Sequence, residues 1–443
     1  MRLLRLLKND LGKEISEWVS SNVITEAQAI QLCQRYDIDY HQISNRSFGY
    51  NVLVSLGYLF IGLAVITLLG ANWEEIPRGV RMVGLIALTM ATHAFALKKY
   101  LSDGSVLLFL LANLFYGASI ILIAQIYHLG EHMPDGVLWW ALGCLPIAVL
   151  LRNPWVMLQS LFLAIIWFFM QVDFGFYPGL FLIFILASIY VLFKGQQNIL
   201  LFLTAVFSIG CFIEYTLAMW WSDKWYLDFH VEHIPVSVSL FIFAYVFSHV
   251  LAKQPSARAK DYAVVLSVWS LRFGLIAMFI MSFAEPWREI ISETWHYKSS
   301  MLAIVGALSL VSLLLAVLAK KIVAVAVILI FYLTTLALLM CLDARDLVDA
   351  WLADNYLYAD YFQIIYNIAL ILIGVALIIK GIQYSITHYF FFGVVTILMT
   401  ALMRYIDLIG DYIGGAILFA VFAALLLGAA KFWKHTNAKA GSA

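Results

Sequence analysis

Fourteen apolar segments, separated by short polar connections, run along this chain at roughly 52–70, 82–97, 106–126, 137–151, 155–172, 177–193, 199–221, 236–252, 262–285, 300–319, 322–342, 362–379, 388–409 and 412–430. Most approach the ~20 residues that a helix needs to cross the hydrocarbon of a bilayer. The pattern predicts an all-α, polytopic membrane protein of about 14 transmembrane helices. The segment at 137–151 is short and joins the next through Arg152, Asn153 and Pro154 alone. That hairpin reads either as two crossings or as a re-entrant pair.

The polar ends set the domain limits: 1–50 as a cytoplasmic helical segment, 51–431 as the membrane domain and 432–443 as a cytoplasmic tail. Near the start, Leu4, Leu7, Leu11, Ile15 and Trp18 recur at helical spacing, with Arg5, Lys8, Lys13 and Glu17 on other faces. Thr25 and Gln28 have the spacing of a capping box, which predicts a second helix starting there. Two connections predict amphipathic helices lying along the membrane. In 286–297, Trp287, Ile290, Ile291 and Trp295 share a face. In 343–361, Leu347, Val348, Trp351 and Leu352 oppose Asp346, Asp349 and Asp354.

Charge then orients the spans. Of 27 Lys and Arg, 19 fall on the side of the N-terminus and 7 on the other, with Arg272 inside a span. The positive-inside rule places both termini in the cytoplasm. The acidic residues do the reverse, with 18 of 27 on the outer side. Nine of the fourteen tryptophans, among them Trp73, Trp139, Trp140 and Trp220, also lie at outer span ends or in outer loops. This fits an interfacial aromatic belt.

Composition agrees: 64% of residues are hydrophobic and 12% charged, against about 25% charged in soluble domains. The expected partner is therefore the lipid bilayer. A net charge of zero argues against nucleic acid. The four cysteines, Cys33, Cys144, Cys211 and Cys341, form no C-x-x-C pair, so neither a disulfide framework nor a zinc site is signalled.

Catalytic motifs are sparse. His128-Leu129-Gly130-Glu131-His132 spells an inverted zinc-protease pattern. That chemistry needs both histidines on one helix face, and Gly130, Pro134 and Gly136 oppose such a helix. No third ligand for that pair is marked by spacing; His230 and His233, with Asp228 and Glu232, sit in another outer connection that could approach it, and nothing in the sequence brings the two together. No P-loop, G-x-S-x-G elbow or Rossmann glycine pattern occurs. No metal, cofactor or catalytic residue is expected from these motifs.

Charges and amides inside spans carry more information. Glu214 in the seventh span and Arg272 in the ninth lie at similar depth. An unpaired charge there costs about 2.5–3.5 kcal/mol even on the lenient insertion scale, so each is expected to face the bundle and to pair. His93, Asn113, Gln125 and Asn367 are further polar groups within spans. Arg404, Asp407 and Asp411 follow helical spacing at the outer end of the thirteenth.

Several stretches resemble a known family. They are the helical start, Gly70-Ala71-Asn72-Trp73 with Pro77, and Gln125-Ile126-Tyr127-His128 ahead of Trp139-Trp140. Over about 1–155 the chain resembles a bacterial family of multi-spanning membrane proteins known only as a domain of unknown function. Arg404-Tyr405-Ile406-Asp407-Leu408 and Gly410-Asp411-Tyr412 also resemble the ends of its longer members, whereas 156–380 matches in hydropathy alone. The resemblance implies a bacterial inner-membrane location, with Asn72, Trp73, Gln125, Tyr127 and His128 as motif residues. It implies no reaction.

Two functional classes follow. Span number and intramembrane charges favour a transporter or permease-like protein acting on an unknown small molecule. Acidic and aromatic outer loops favour a membrane-embedded enzyme or assembly factor acting on envelope glycans or lipids. The oligomeric state is not encoded in any feature of the sequence.

Overall fold

In the computed structural model, residues 8–35, 76–103, 105–128, 133–222, 227–349, 355–384 and 386–407 are described, with isolated positions between 56 and 67. Among them fifteen helices occur and no strand. They are α1 (Lys8–Ser20), α2 (Glu26–Arg35), α3 (Arg78–Asp103), α4 (Leu107–Tyr127), α5 (Met133–Leu151), α6 (Pro154–Asp173), α7 (Phe181–Lys194), α8 (Ile199–Trp220), α9 (His233–Leu251), α10 (Ala257–Ile280), α11 (Ala284–Ser292), α12 (Lys298–Leu318), α13 (Ile322–Asp349), α14 (Asn355–Gln383) and α15 (Thr387–Asp407). Eleven are long and apolar enough to cross a membrane, and α7 is a shorter apolar helix. Apart from those isolated positions, the segments expected at 52–70 and 412–430 lie outside the described residues.

The N-terminal pair is built from its caps. Asn22 takes the left-handed conformation (φ 56°) after α1. The Val23 N–H then reaches the Trp18 carbonyl at 2.9 Å and the Asn22 N–H that of Val19 at 3.0 Å, a Schellman closure. The capping box forms as its spacing predicts: Thr25 N donates to Gln28 Oε1 at 2.9 Å and Gln28 N to Thr25 Oγ1 at 3.4 Å. Ile15, Ala29 and Cys33 are buried, while Trp18 stays exposed.

The chain divides into two compact units, Gly12–Phe229 and Met1–Leu11 with His230–Ala443. In the first, the hairpin at 137–172 is two helices of 19 and 20 residues, each long enough to cross. Arg152 turns the chain with φ 49°. Asn153 caps α6 by accepting from Trp155 N at 2.9 Å and Val156 N at 3.3 Å, and Pro154 fits the first helical turn. α5 and α6 pack along each other, and the core continues through Met157, Leu161, Phe168, Phe181, Phe184 and Leu201.

Glycines set the closest helix contacts, as membrane packing favours. A Cβ at Gly117 would lie inside the Trp140 ring, and one at Gly143 inside the Tyr116 ring. Each of α4 and α5 thus receives an aromatic from the other. In the second unit, Gly374 on α14 and Gly393 on α15 bring the two backbones together in the same way.

Contacts within each unit follow the alternation of charge. Gly195, after α7, abuts the Arg152 carbonyl, so two lysine- and arginine-bearing connections meet. Lys253, after α9, donates to the Leu318 carbonyl at the end of α12 at 2.8 Å. On the acidic side, Arg288 pairs with Asp360 at 3.4 Å.

The amphipathic helix expected in 286–297 forms as α11, with Trp287 and Ile290 buried on its apolar face. α10 stops at Ile280, and the short α11 presses its apolar face onto α14. Trp287 stacks on Phe362 (4.6 Å, 16°) and meets Tyr366 edge-on. The break leaves main-chain carbonyls that need donors in an apolar setting. Trp287 Nε1 donates to Met281 O at 2.7 Å and Asn367 Nδ2 to Ser282 O at 2.9 Å. In 343–361 no separate helix forms before Asp349, because α13 runs on to that residue; 350–354 lie outside the described residues.

Candidate functional site

Inside the first unit, α3, α4, α5 and α6 meet around Asn113, which is fully buried. Its Nδ2 donates to Gln159 Oε1 on α6 at 2.9 Å. Gln159 Nε2 donates onward to the Leu110 carbonyl at 3.1 Å. On the other side Asn113 Oδ1 faces His93 Nε2 on α3 at 3.3 Å, and His93 Nδ1 lies 2.8 Å from the Thr89 carbonyl. From α5, Trp140 Nε1 donates to the Asn113 carbonyl at 2.8 Å. One turn away, Thr89 Oγ1 and Ser119 Oγ are 2.8 Å apart. His93 and Gln159 are only half-buried, so the chain of polar groups runs from the packed centre towards the helix surfaces.

Local sequence explains why these groups converge. Thr89 and His93 are one turn apart on α3, and Asn113 and Leu110 nearly one turn apart on α4, so each pair shares a face. Gly117 lets the Trp140 ring reach the Asn113 carbonyl. None of α4, α5 and α6 carries Lys, Arg, Asp or Glu between its end turns. The site is therefore a line of hydrogen-bonding side chains with no carboxylate, lysine or arginine among them, set in apolar surroundings.

The residues singled out by sequence fall elsewhere as well as here. His93 and Asn113 belong to the chain. Gln125 is exposed on α4, and Tyr127 donates to Met82 Sδ at 3.4 Å. His128 ends α4 in the left-handed conformation (φ 54°), so the helix stops at the first residue of the H-x-x-E-H pattern. Asn72, Trp73, Glu131, His132 and Asp411 lie outside the described residues. Glu214 is half-buried on α8 and belongs to the first unit. Arg272 belongs to the second, where its guanidinium stands over the rings of Trp269 (5.1 Å) and Phe392 (5.2 Å). Arg404 stands over Phe283 at 4.9 Å, and Asp407 closes α15. Asn367 serves the α10–α11 break.

At the start of α9, Glu232 is fully buried and accepts from Tyr297 N at 2.6 Å, while the rings of His230 and His296 stand 5.4 Å apart. No group of three or more His, Cys, Asp or Glu with metal-binding geometry occurs among the described residues.

Gln159 was not signalled by sequence as a site residue. Its usable signal is an amide set among apolar neighbours a turn and a half into a span, where an unsatisfied polar group is costly.

Fold and site together define a polytopic α-helical membrane protein with a chain of hydrogen-bonded polar side chains between its helices. Residues 16–157 match the family described as "Predicted membrane protein (DUF2157)". That match takes in His93, Asn113, Gly117 and Trp140 and ends two residues before Gln159. No curated protein and no solved structure matches the chain.

Proposed function

We propose that this is a transporter-like protein of a bacterial inner membrane, with both termini cytoplasmic and the His93–Asn113–Gln159 chain as its polar centre. The observation that carries the reading is Asn113: fully buried, yet joined through its side chain and carbonyl to groups on three other helices. Such groups are costly in a membrane and are commonly kept for moving polar cargo. The excess of Lys and Arg on the terminal side supports the orientation. The test is access of water to the centre. In a protein freed of its four cysteines, Gln159→Cys should react with a small charged thiol reagent in vesicles. Phe162→Cys, three residues on and exposed at the helix surface, should not. An inert Gln159→Cys from both sides of the membrane would leave the chain as helix–helix glue only.

A second reading, an enzyme or assembly factor working on envelope glycans or lipids, is favoured by the His230, His296, Tyr297 and Glu232 group on the acidic side. It calls for loss of function on Glu232→Gln with the Asn113 centre intact.

A further inference from the structure

We infer that the second unit carries a binding site for the phosphate group of an anionic phospholipid, built on Arg272 of α10 and the N-terminal turn of α15. The site stands apart from the Asn113 centre, which belongs to the first unit, and it does not depend on the transport reading.

Arg272 lies well inside α10, a helix long and apolar enough to span the membrane. Its guanidinium stands over the rings of Trp269 at 5.1 Å and Phe392 at 5.2 Å. Ring faces attract the charge. They offer no oxygen, so the N–H donors in the guanidinium plane are left for another partner. Among the described residues no carboxylate pairs with Arg272. The helices around it place none at its level. On α10 the one carboxylate is Asp261, three turns before Arg272. On α14 it is Asp360, at the end opposite Lys380, and on α15 it is Asp407, the last residue. α9, packed along α10, has none between His233 and Leu251. A cation left without an anion in a span is costly.

The surroundings add positive charge rather than cancel it. Tyr389 of α15 hydrogen-bonds with Ser267 of α10, which sets the register of the two helices. Five residues on from Ser267 stands Arg272, and three on from Tyr389 stands Phe392. The Arg272 side chain thus reaches back along α10 towards the first turns of α15, the direction in which helical side chains lean. That N-terminus is the positive end of the α15 dipole, and no acidic residue occupies its first turn. Gly381 presses the end of α14 against the Phe390 backbone, which brings the turn bearing Lys380 to the same end of α15. Basic pockets between spans hold anionic headgroups in membrane proteins.

The apolar neighbours decide between a lipid and a free anion. Trp269 stacks on Phe273 at 5.6 Å, and both rings are exposed, as is Phe391 beside Phe392. A phosphate carried by a lipid brings acyl chains to cover those rings. A free anion would leave them bare.

The experiment uses full-length protein stripped of lipid in detergent and titrated with dioleoylphosphatidylglycerol, with bound lipid counted by native mass spectrometry. Arg272→Gln should weaken uptake of the first phosphatidylglycerol about tenfold or more, the loss expected when a charge-assisted hydrogen bond is removed. Lys194→Gln, which removes a charge from an exposed helix end of the other unit, should change it less than about twofold. Dioleoylphosphatidylcholine, whose choline returns a positive charge to the site, should bind the unaltered chain no better than it binds Arg272→Gln. Uptake of phosphatidylglycerol that is indifferent to Arg272→Gln overturns the inference. Displacement of the lipid by millimolar inorganic phosphate overturns it too, by making the site one for a free anion. If Arg272→Gln does not fold, Arg272→Lys replaces it. An ammonium lacks the planar fork, so binding should still weaken several-fold, and equal binding overturns the inference.

Discussion

The indole of Trp140 reaches the carbonyl of Asn113 at 2.8 Å, across a position where residue 117 has no side chain. Gly117→Ala should drive that ring aside and cost about 1–3 kcal/mol, the range for overpacking a tight contact. Gly84→Ala is the control, since a Cβ there meets nothing within 4 Å among the described residues. It should be neutral or stabilising by up to about 1 kcal/mol through helix propensity. Unfolding by detergent titration separates the two. Equal behaviour would mean that the Trp140 contact contributes nothing.

Trp287 combines two roles, stacking on Phe362 and supplying a donor to Met281 O. Trp287→Ala should cost about 3–5 kcal/mol, as for other large buried aromatics. Trp287→Phe keeps a ring but leaves the carbonyl unanswered, so about 1–3 kcal/mol is expected. The comparison is made by thermal inactivation of the folded fraction on size-exclusion chromatography.

Cys33 lies buried in the polar N-terminal pair, and burial pushes its thiol above the ordinary value. Only the thiolate alkylates readily. Iodoacetamide at pH 7.5 should therefore modify Cys33 slowly in native protein and quickly after denaturation. Because the folded state disfavours the thiolate, the stability of this pair should fall as pH rises above the usual thiol range. Native and denatured rates that agree would mean that the α1–α2 pair does not protect the thiol.

Reporter fusions test the orientation. Fusions after Lys99, Lys260 and Lys321 should read cytoplasmic, whereas fusions at Asp135, Asp228 and Glu293 should read external. An external reading at Lys260 together with a cytoplasmic one at Glu293 would invert the assignment.

The apolar segments between 82 and 409 were legible because hydropathy reports which solvent a residue meets. It does not report which helix it meets. Trp287 reads as an interfacial anchor because its partners, Phe362 and Tyr366, arrive from another span some 75 residues on. Thr25 and Gln28 were legible because a cap is local. His93 and Asn113 stand out as polar residues in apolar runs, but their link through Gln159 needs α3, α4 and α6 to be side by side. Gly117 and Gly143 carry no polarity at all, and their use appears only once Trp140 and Tyr116 are placed.

The two-residue connection between α5 and α6 bears on how the protein is made. Arg152 and Asn153 are all that separates the helices, so the closure cost is small and their contacts are local. Ser160 Oγ can meet the Ala141 carbonyl, at 2.9 Å in the finished structure, as soon as α6 has left the ribosome. During biosynthesis the hairpin should thus pass into lipid as a preassembled pair, ahead of α8 and of everything C-terminal to it. A ribosome stalled beyond residue 210, with a cysteine pair placed across α5 and α6, should already yield the cross-link.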